Sequence, residues 1–114
     1  MLDFAKQNGK FTMTTSPVEA AVNADVIFTD VWASMGQESE AEKRRIAFDG
    51  YQVNDDVIGA AHEEVMVQHC LPAHRGEEIT EKVFEAHANE IFDEAENRLH
   101  AQKAVLVKVL GKQD

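Results

Sequence analysis

Two short apolar segments, each followed by polar residues, constrain the fold of this chain more than any other feature. Val26, Ile27 and Phe28 form the first segment, and residues 65–69 form the second. Nearly unbroken apolar runs of this length are typical of strands buried on both faces of a parallel sheet. Helical patterns separate the two segments, which predicts a right-handed α/β arrangement. We therefore predict an α/β fold with a partial doubly wound parallel sheet and flanking helices.

Capping residues and turn signals place the remaining elements. Ser16, Asn54 and Thr80 each have the side chain and position of a helix N-cap. The predicted helices cover residues 1–10, 17–22, 40–48, 55–61, 80–87 and 94–110. Further short strands are predicted at residues 11–14 and 51–53, and a short strand or bridge at residues 91–92. In the last helix, helical spacing predicts a stripe that faces the core, formed by Ala95, Leu99, Gln102, Leu106 and Val109.

Composition narrows the class of protein and its partners. With 114 residues, 44% of them hydrophobic, the chain has the size and composition of one globular domain. A formal net charge of -10 repels phosphates, so we expect no nucleic-acid partner and no membrane partner. The single cysteine, Cys70, excludes an internal disulfide and agrees with a reducing compartment. We expect a cytoplasmic protein, since the first residues also lack the pattern of a secretory signal.

The ends of the two apolar segments carry the candidate site. In open α/β sheets, ligands bind outside the carboxyl ends of the strands, where Asp30 and Cys70 follow the two segments. The alternative to a binding site is an ordinary polar turn after Asp30. Cys70 allows three further interpretations: a nucleophile activated by His69, a metal ligand together with His69 and His74, or an inert cysteine beside a turn. The first is disfavoured because adjacent strand residues point to opposite faces.

Arg98 is the third feature. The predicted start of the last helix near residue 94 puts this cation at the positive end of the helix dipole, which hints at a bound phosphate or carboxylate. An ion pair with Glu94 would explain the same arginine without any ligand.

Three motifs together resemble ornithine carbamoyltransferase: DVWASMG at residues 30–36, HCLPAHRG at residues 69–76 and ENRLH at residues 96–100. The resemblance extends over essentially the whole chain. It implies that residues 1–114 are the C-terminal part of the ornithine-binding domain, with the last helix at 94–110, and that the N-terminal carbamoyl-phosphate domain is absent.

That resemblance implies a reaction and a set of site residues. The family transfers the carbamoyl group of carbamoyl phosphate to the side-chain amine of L-ornithine, giving citrulline and phosphate, without a cofactor or metal, and its members are homo-oligomers based on trimers. Asp30 would bind the α-amino group of ornithine, Cys70 would lie near the attacking amine, and Leu71 would orient the carbamoyl group through its carbonyl. Ser34 and Met35 would complete the amino-acid subsite, and Arg98 would bind carbamoyl phosphate. Cys70 and Arg98 are the residues that the resemblance implies for catalysis.

The chain also departs from the family pattern. The Ser-x-Arg-Thr and His-Pro-x-Gln motifs of the phosphate-binding half do not occur in the sequence. We therefore expect a fragment of the enzyme that is inactive by itself. The alternative is a non-catalytic α/β binding or interaction module derived from a carbamoyltransferase.

Overall fold

The computed structural model of the protein describes residues 1–33 and 40–111. Its elements in chain order are α1 (Leu2–Asn8), α2 (Pro17–Ala21), β1 (Val26–Thr29), α3 (Ala41–Ala47), α4 (Asp55–Ala60), β2 (Met66–His69), α5 (Glu81–Ala86) and α6 (Ala88–Leu110). In this part of the chain β1 and β2 form one two-stranded parallel sheet. The predicted α/β class is thereby confirmed. No helix within these residues is long and apolar enough to cross a membrane.

The predicted N-caps are confirmed. The side chains of Ser16, Asn54 and Thr80 each accept a hydrogen bond from a backbone N–H two or three residues further on. Such a contact satisfies one of the donors that a helix start leaves open. Glu19 does not close a capping box on Ser16, because its carboxylate accepts instead from the Thr14 hydroxyl at 2.6 Å.

Three predicted strands are wrong. Residues 11–14 and 91–92 contain no strand among the described residues, and of residues 51–53 only Val53 pairs, through a single bridge to Ile79. Alternation over two to four residues is too short to hold a strand unless a neighbouring strand pairs with it.

The start of the last helix also differs from the prediction. Helix α6 begins at Ala88 instead of residue 94, and it includes the two apolar residues expected to form a strand. Ile91 is fully buried in the core, and the ring of Phe92 lies edge-on to Phe84 with 6.1 Å between centroids. These two contacts dock the first turns of the helix on the rest of the domain.

The core lies between the sheet and the helices that pack on it. Its buried members come from the two residues of the isolated bridge, from β2 and from four helices: Ala21, Val53, Val57, Val67, Ile79, Val83, Phe84 and Ile91. Strand β2 fits the prediction of a buried strand, since Val67 and His69 are completely buried.

Strand β1 does not fit the prediction of burial on both faces. Val26 and Phe28 are 45% and 72% exposed, because no described element covers that face of the strand. The predicted stripe on α6 is likewise not in the core: Leu99, Leu106 and Val109 are 58%, 56% and 71% exposed. A substantial apolar surface of the chain is therefore open.

The outer edge of β2 is closed by a side chain from α6. The Glu90 carboxylate accepts a hydrogen bond from the backbone N–H of Val67 at 2.7 Å and also contacts His87. Without this acceptor, a donor in a buried strand would face no partner among the described residues.

We predict that Glu90→Ala lowers the free energy of unfolding by about 1 to 3 kcal/mol, because it leaves the Val67 N–H unsatisfied. Glu96→Ala is the matched control on the same helix, since Glu96 makes an exposed contact with His100. Urea denaturation followed by circular dichroism measures both variants. Equal stability of the two variants would contradict this role for Glu90.

Candidate functional site

The register of the sheet brings the two polar strand ends together. Thr29 pairs with His69 in the parallel ladder, so Asp30 and Cys70 are the next residues along two adjacent strands. The Cys70 Sγ–H donates to Asp30 Oδ1 across 3.0 Å. The sequence predicted these residues at one sheet edge, and the structure joins them directly.

The hydrogen bond between Asp30 and Cys70 affects the ionisation of both groups. The Cys70 thiol, assisted by the Val31 N–H, holds the pKa of Asp30 below its ordinary value. Burial raises the pKa of Cys70, and the acceptor and negative charge of Asp30 raise it further. At neutral pH an ionised carboxylate therefore lies beside a neutral thiol. Nucleophilic cysteines need a lowered pKa, so this environment argues against Cys70 as an activated nucleophile.

Leu71 has an unusual backbone conformation at the same edge. Its φ of 51° lies in the left-handed region, which a bulky residue rarely adopts, and the peptide bond to Pro72 is cis. The Leu71 side chain packs against the core. Its N–H donates to His69 Nδ1 at 2.9 Å. Leu71 is thus held by its side chain and by its amide.

His69 and Glu78 form a buried pair beneath this turn. Their side chains are 0% and 1% exposed, and 2.9 Å separates His69 Nε2 from Glu78 Oε1. The same carboxylate oxygen accepts from the His74 N–H at 2.6 Å. The Glu78 carboxylate therefore links His69, which precedes Cys70, to His74, which lies three residues after Leu71.

Arg98 has a different position from the predicted one. Because α6 begins at Ala88, Arg98 lies in the helix interior, and the argument from the positive helix end is wrong. Its Nε is 3.9 Å from Glu94 Oε1, which is the alternative ion pair. Its charge still acts on the Cys70 thiol, where it lowers the pKa against the stronger opposing effects of burial and Asp30. The charge of Arg98 therefore influences the ionisation of Cys70.

The structure does not support the two alternatives in which His69 works with Cys70. Both ring nitrogens of His69 are engaged by Leu71 and Glu78, on the buried side of the strand. A metal-type grouping occurs instead at His74, Glu77 and Glu78, whose ligand atoms lie within 4.8 Å of one another. Ordinary contacts already occupy this group, including the ion pair between Glu77 and Arg45 at 2.9 Å.

An aromatic cluster holds the chain just after Asp30. The rings of Trp32 and Phe48 stack with centroids 6.4 Å apart, and Tyr51 meets Phe48 edge-on. The Trp32 indole donates to the Tyr51 carbonyl at 3.2 Å. A groove of about 440 Å³ runs along β1 and reaches Asp30 and this cluster. The predicted site residues Ser34 and Met35 lie outside the described residues.

The sequence interpretation missed the roles of His69, Glu78 and Trp32. The sequence motif suggests His69 only as a base or a metal ligand, and no sequence signal points to Glu78. The two partners are nine positions apart in the sequence. No periodicity or spacing rule links them, so the pairing becomes visible only when the turn between them is folded.

Comparison with known proteins identifies the family. Residues 2–109 match the family described as aspartate/ornithine carbamoyltransferase, Asp/Orn binding domain. The chain belongs to this family of carbamoyltransferase domains, which confirms the resemblance found in the motifs.

Proteins with similar sequences include ornithine carbamoyltransferases from archaea. The chain is 55% identical over 108 residues to the ornithine carbamoyltransferase of Archaeoglobus fulgidus, covering 95% of this chain and 35% of the relative. Identity to the Pyrococcus horikoshii enzyme is 56% over 107 residues, covering 94% of this chain and 34% of the relative. The chain thus spans about a third of the length of these relatives.

Solved structures agree with the sequence comparison. Ornithine carbamoyltransferase from Pyrococcus furiosus matches with a TM-score of 0.83 at 52% identity, covering 99% of this chain and 36% of that structure. The anabolic enzyme from Campylobacter jejuni matches with a TM-score of 0.89 at 36% identity, covering 99% of this chain and 37% of that structure.

We predict that Asp30→Asn lowers the pKa of the Cys70 thiol, because it removes the negative charge that disfavours the thiolate. The pKa stays above its ordinary value, since burial of Cys70 remains. Alkylation by iodoacetamide as a function of pH measures it without ambiguity, because Cys70 is the only cysteine. Asp25→Asn, at the opposite end of β1, is the control. A pKa that rises or stays constant in Asp30→Asn would refute the electrostatic coupling.

Proposed function

We propose that this chain is the ornithine-binding part of an ornithine carbamoyltransferase, which transfers the carbamoyl group of carbamoyl phosphate to L-ornithine and releases L-citrulline and phosphate. The observation that carries this proposal is the direct contact of Asp30 with Cys70 at the carboxyl ends of β1 and β2. The names of the relatives support the same reaction.

Asp30 binds the α-ammonium group of ornithine in this proposal. Its side chain is exposed, and its lowered pKa keeps it ionised at neutral pH. The two hydrogen bonds that it accepts from Cys70 and Val31 both use Oδ1. A carboxylate has acceptor capacity for several donors, so Oδ2 is suited to a charged amine. Ser34 and Met35 complete the amino-acid subsite by their place in the motif.

Cys70 and Leu71 line the reacting end of the substrate. The attacking nucleophile is the side-chain amine of ornithine, which loses a proton as it bonds to the carbamoyl carbon. A neutral thiol beside this amine contributes packing and a weak polar contact without competing as a nucleophile. The Leu71 carbonyl orients the carbamoyl group by accepting from its NH₂. These groups position the reactants, and positioning alone supplies a large part of many rate enhancements.

Arg98 contributes to binding of carbamoyl phosphate. A guanidinium is suited to phosphate oxygens, and it would exchange its long contact with Glu94 for a charge-assisted one. The reaction needs neither a redox cofactor nor a metal in this proposal. The further phosphate contacts come from the N-terminal domain of the complete enzyme, and residues 1–114 form the C-terminal part of its ornithine-binding domain.

Two further properties belong to the same proposal. We expect a cytoplasmic enzyme, and we expect a homo-oligomer based on trimers, with no nucleic-acid or membrane partner. The negative net charge of -10 supports the exclusion of polyanionic partners.

A non-catalytic module derived from a carbamoyltransferase is the second candidate. A polypeptide limited to residues 1–114 would correspond to this candidate, because these residues do not contain the family's two phosphate-binding motifs. Mass spectrometry of the natural protein separates the two candidates, because a species about three times the length of this chain supports the complete enzyme.

We predict that Asp30→Asn in a full-length carbamoyltransferase carrying this segment raises the Michaelis constant for ornithine about 10- to 100-fold. The reason is the loss of one charge-assisted contact, which contributes about 1.5 to 3 kcal/mol. Steady-state kinetics with each substrate varied in turn give the measurement. The Michaelis constant for carbamoyl phosphate should change much less, and Asp25→Asn serves as the control. An unchanged constant for ornithine would remove Asp30 from the subsite.

We predict that the isolated chain forms no citrulline. Electrostatic stabilisation is usually the largest catalytic contribution, and loss of one donor alone lowers turnover by about 100- to 1,000-fold. Arg98 by itself does not replace a set of phosphate-binding groups. The open apolar faces of β1 and α6 should also promote self-association.

A colorimetric citrulline assay and light scattering examine the two claims on the purified chain. A full-length ornithine carbamoyltransferase is the positive control, and the Asp30→Asn chain reports contaminating host enzyme. Citrulline formation that depends on Asp30 would show that the phosphate-binding half is dispensable.

A further inference from the structure

The buried pair beneath the Cys70–Leu71 turn has a defined arrangement of protons. The Leu71 backbone N–H can only donate, so His69 Nδ1 accepts with its lone pair at 2.9 Å. The ring proton is then on Nε2, which donates to Glu78 Oε1 at 2.9 Å. His69 is thus a neutral ring with one nitrogen for the turn and the other for the carboxylate.

Glu78 is itself fixed to the core. Its backbone carbonyl accepts from the Val53 N–H at 2.8 Å, and the next residue, Ile79, is fully buried. The side chain of Gln52 donates to the carbonyls of Gly76 and Glu77, which holds the segment before it. A continuous path of contacts therefore runs from the core through Glu78 and His69 to the amide of Leu71.

We propose that His69 and Glu78 are positioning residues, which hold Leu71 in its left-handed conformation and so aim the Leu71 carbonyl and the Cys70 thiol at the substrates. For catalysis this inference rests on the proposed function. Its structural content, the bond from the Leu71 amide to His69, does not depend on the reaction. Left-handed backbone at a bulky residue persists only where surrounding contacts impose it, and the His69 bond is such a contact.

Two substitutions of His69 separate its two contacts. The carbonyl oxygen of Asn replaces Nδ1, so His69→Asn keeps an acceptor for Leu71 and loses the link to Glu78. The amide NH₂ of Gln replaces Nε2, so His69→Gln keeps the donor to Glu78 and loses the acceptor for Leu71. A purely structural role makes activity follow stability in both variants. A positioning role makes the two properties diverge.

The experiment measures stability, hydrogen exchange and kinetics. We expect His69→Asn to be the less stable variant, because it leaves Glu78 without its buried partner, yet to keep slow exchange of the Leu71 amide and a near wild-type kcat/KM for ornithine. We expect His69→Gln to be more stable than His69→Asn but to lose the slow hydrogen exchange of the Leu71 amide. Its kcat/KM for ornithine should be lower than that of the wild type by up to about 100-fold. Activities that rank in the order of thermal stability would overturn the proposal.

A measurement on the unmodified protein keeps the proposal falsifiable if neither variant folds. Nitrogen-15 spectra of the wild-type chain report the tautomer of His69 directly. A proton on Nε2 with a coupling from the Leu71 N–H to Nδ1 supports the positioning unit, and a proton on Nδ1 overturns it. If wild-type full-length protein does not carbamoylate ornithine, the proposed function fails, whereas the tautomer and Leu71 exchange still decide whether His69 holds the turn.

Discussion

The parallel pairing of β1 with β2 is the constraint on which the site depends. Each strand contributes only four residues, yet the register aligns Thr29 with His69 and so places Asp30 beside Cys70. A shift of one residue would reverse the faces of every side chain in β2 and would take the buried His69 away from its partners. The register is held by the burial of Val67 and His69 on one strand and by Glu90, which closes the outer edge of that strand.

The hydrogen bonds made by the buried His69–Glu78 pair explain why these two polar side chains are tolerated in the core. A buried histidine and carboxylate are expensive to desolvate, and replacing such a pair with apolar residues is often neutral or stabilising. Here the pair provides an acceptor for the Leu71 amide and one for the His74 amide, which a hydrophobic pair cannot do. The turn that carries Cys70 and Leu71 is thereby held at both ends, while the Cys70 thiol reaches Asp30 at the site.

The open surfaces have the opposite character. Phe28 on β1 and Leu99, Leu106 and Val109 on α6 remain more than half exposed. Apolar area of this kind gives no stabilisation to the isolated chain, because it is not removed from water. The chain spans about a third of the length of its relatives, and its core is correspondingly small.

The sequence by itself determined what is local. Helix caps at Ser16, Asn54 and Thr80, the two main strands and the chemistry of the three motifs follow from residues a few positions apart, where backbone sterics and capping bonds act directly. Tertiary structure alone decided the start of α6 at Ala88, the exposed face of β1, the interior position of Arg98 and the pairing of His69 with Glu78. These features depend on which elements dock against one another, and periodicity along the chain carries no information about docking between distant segments.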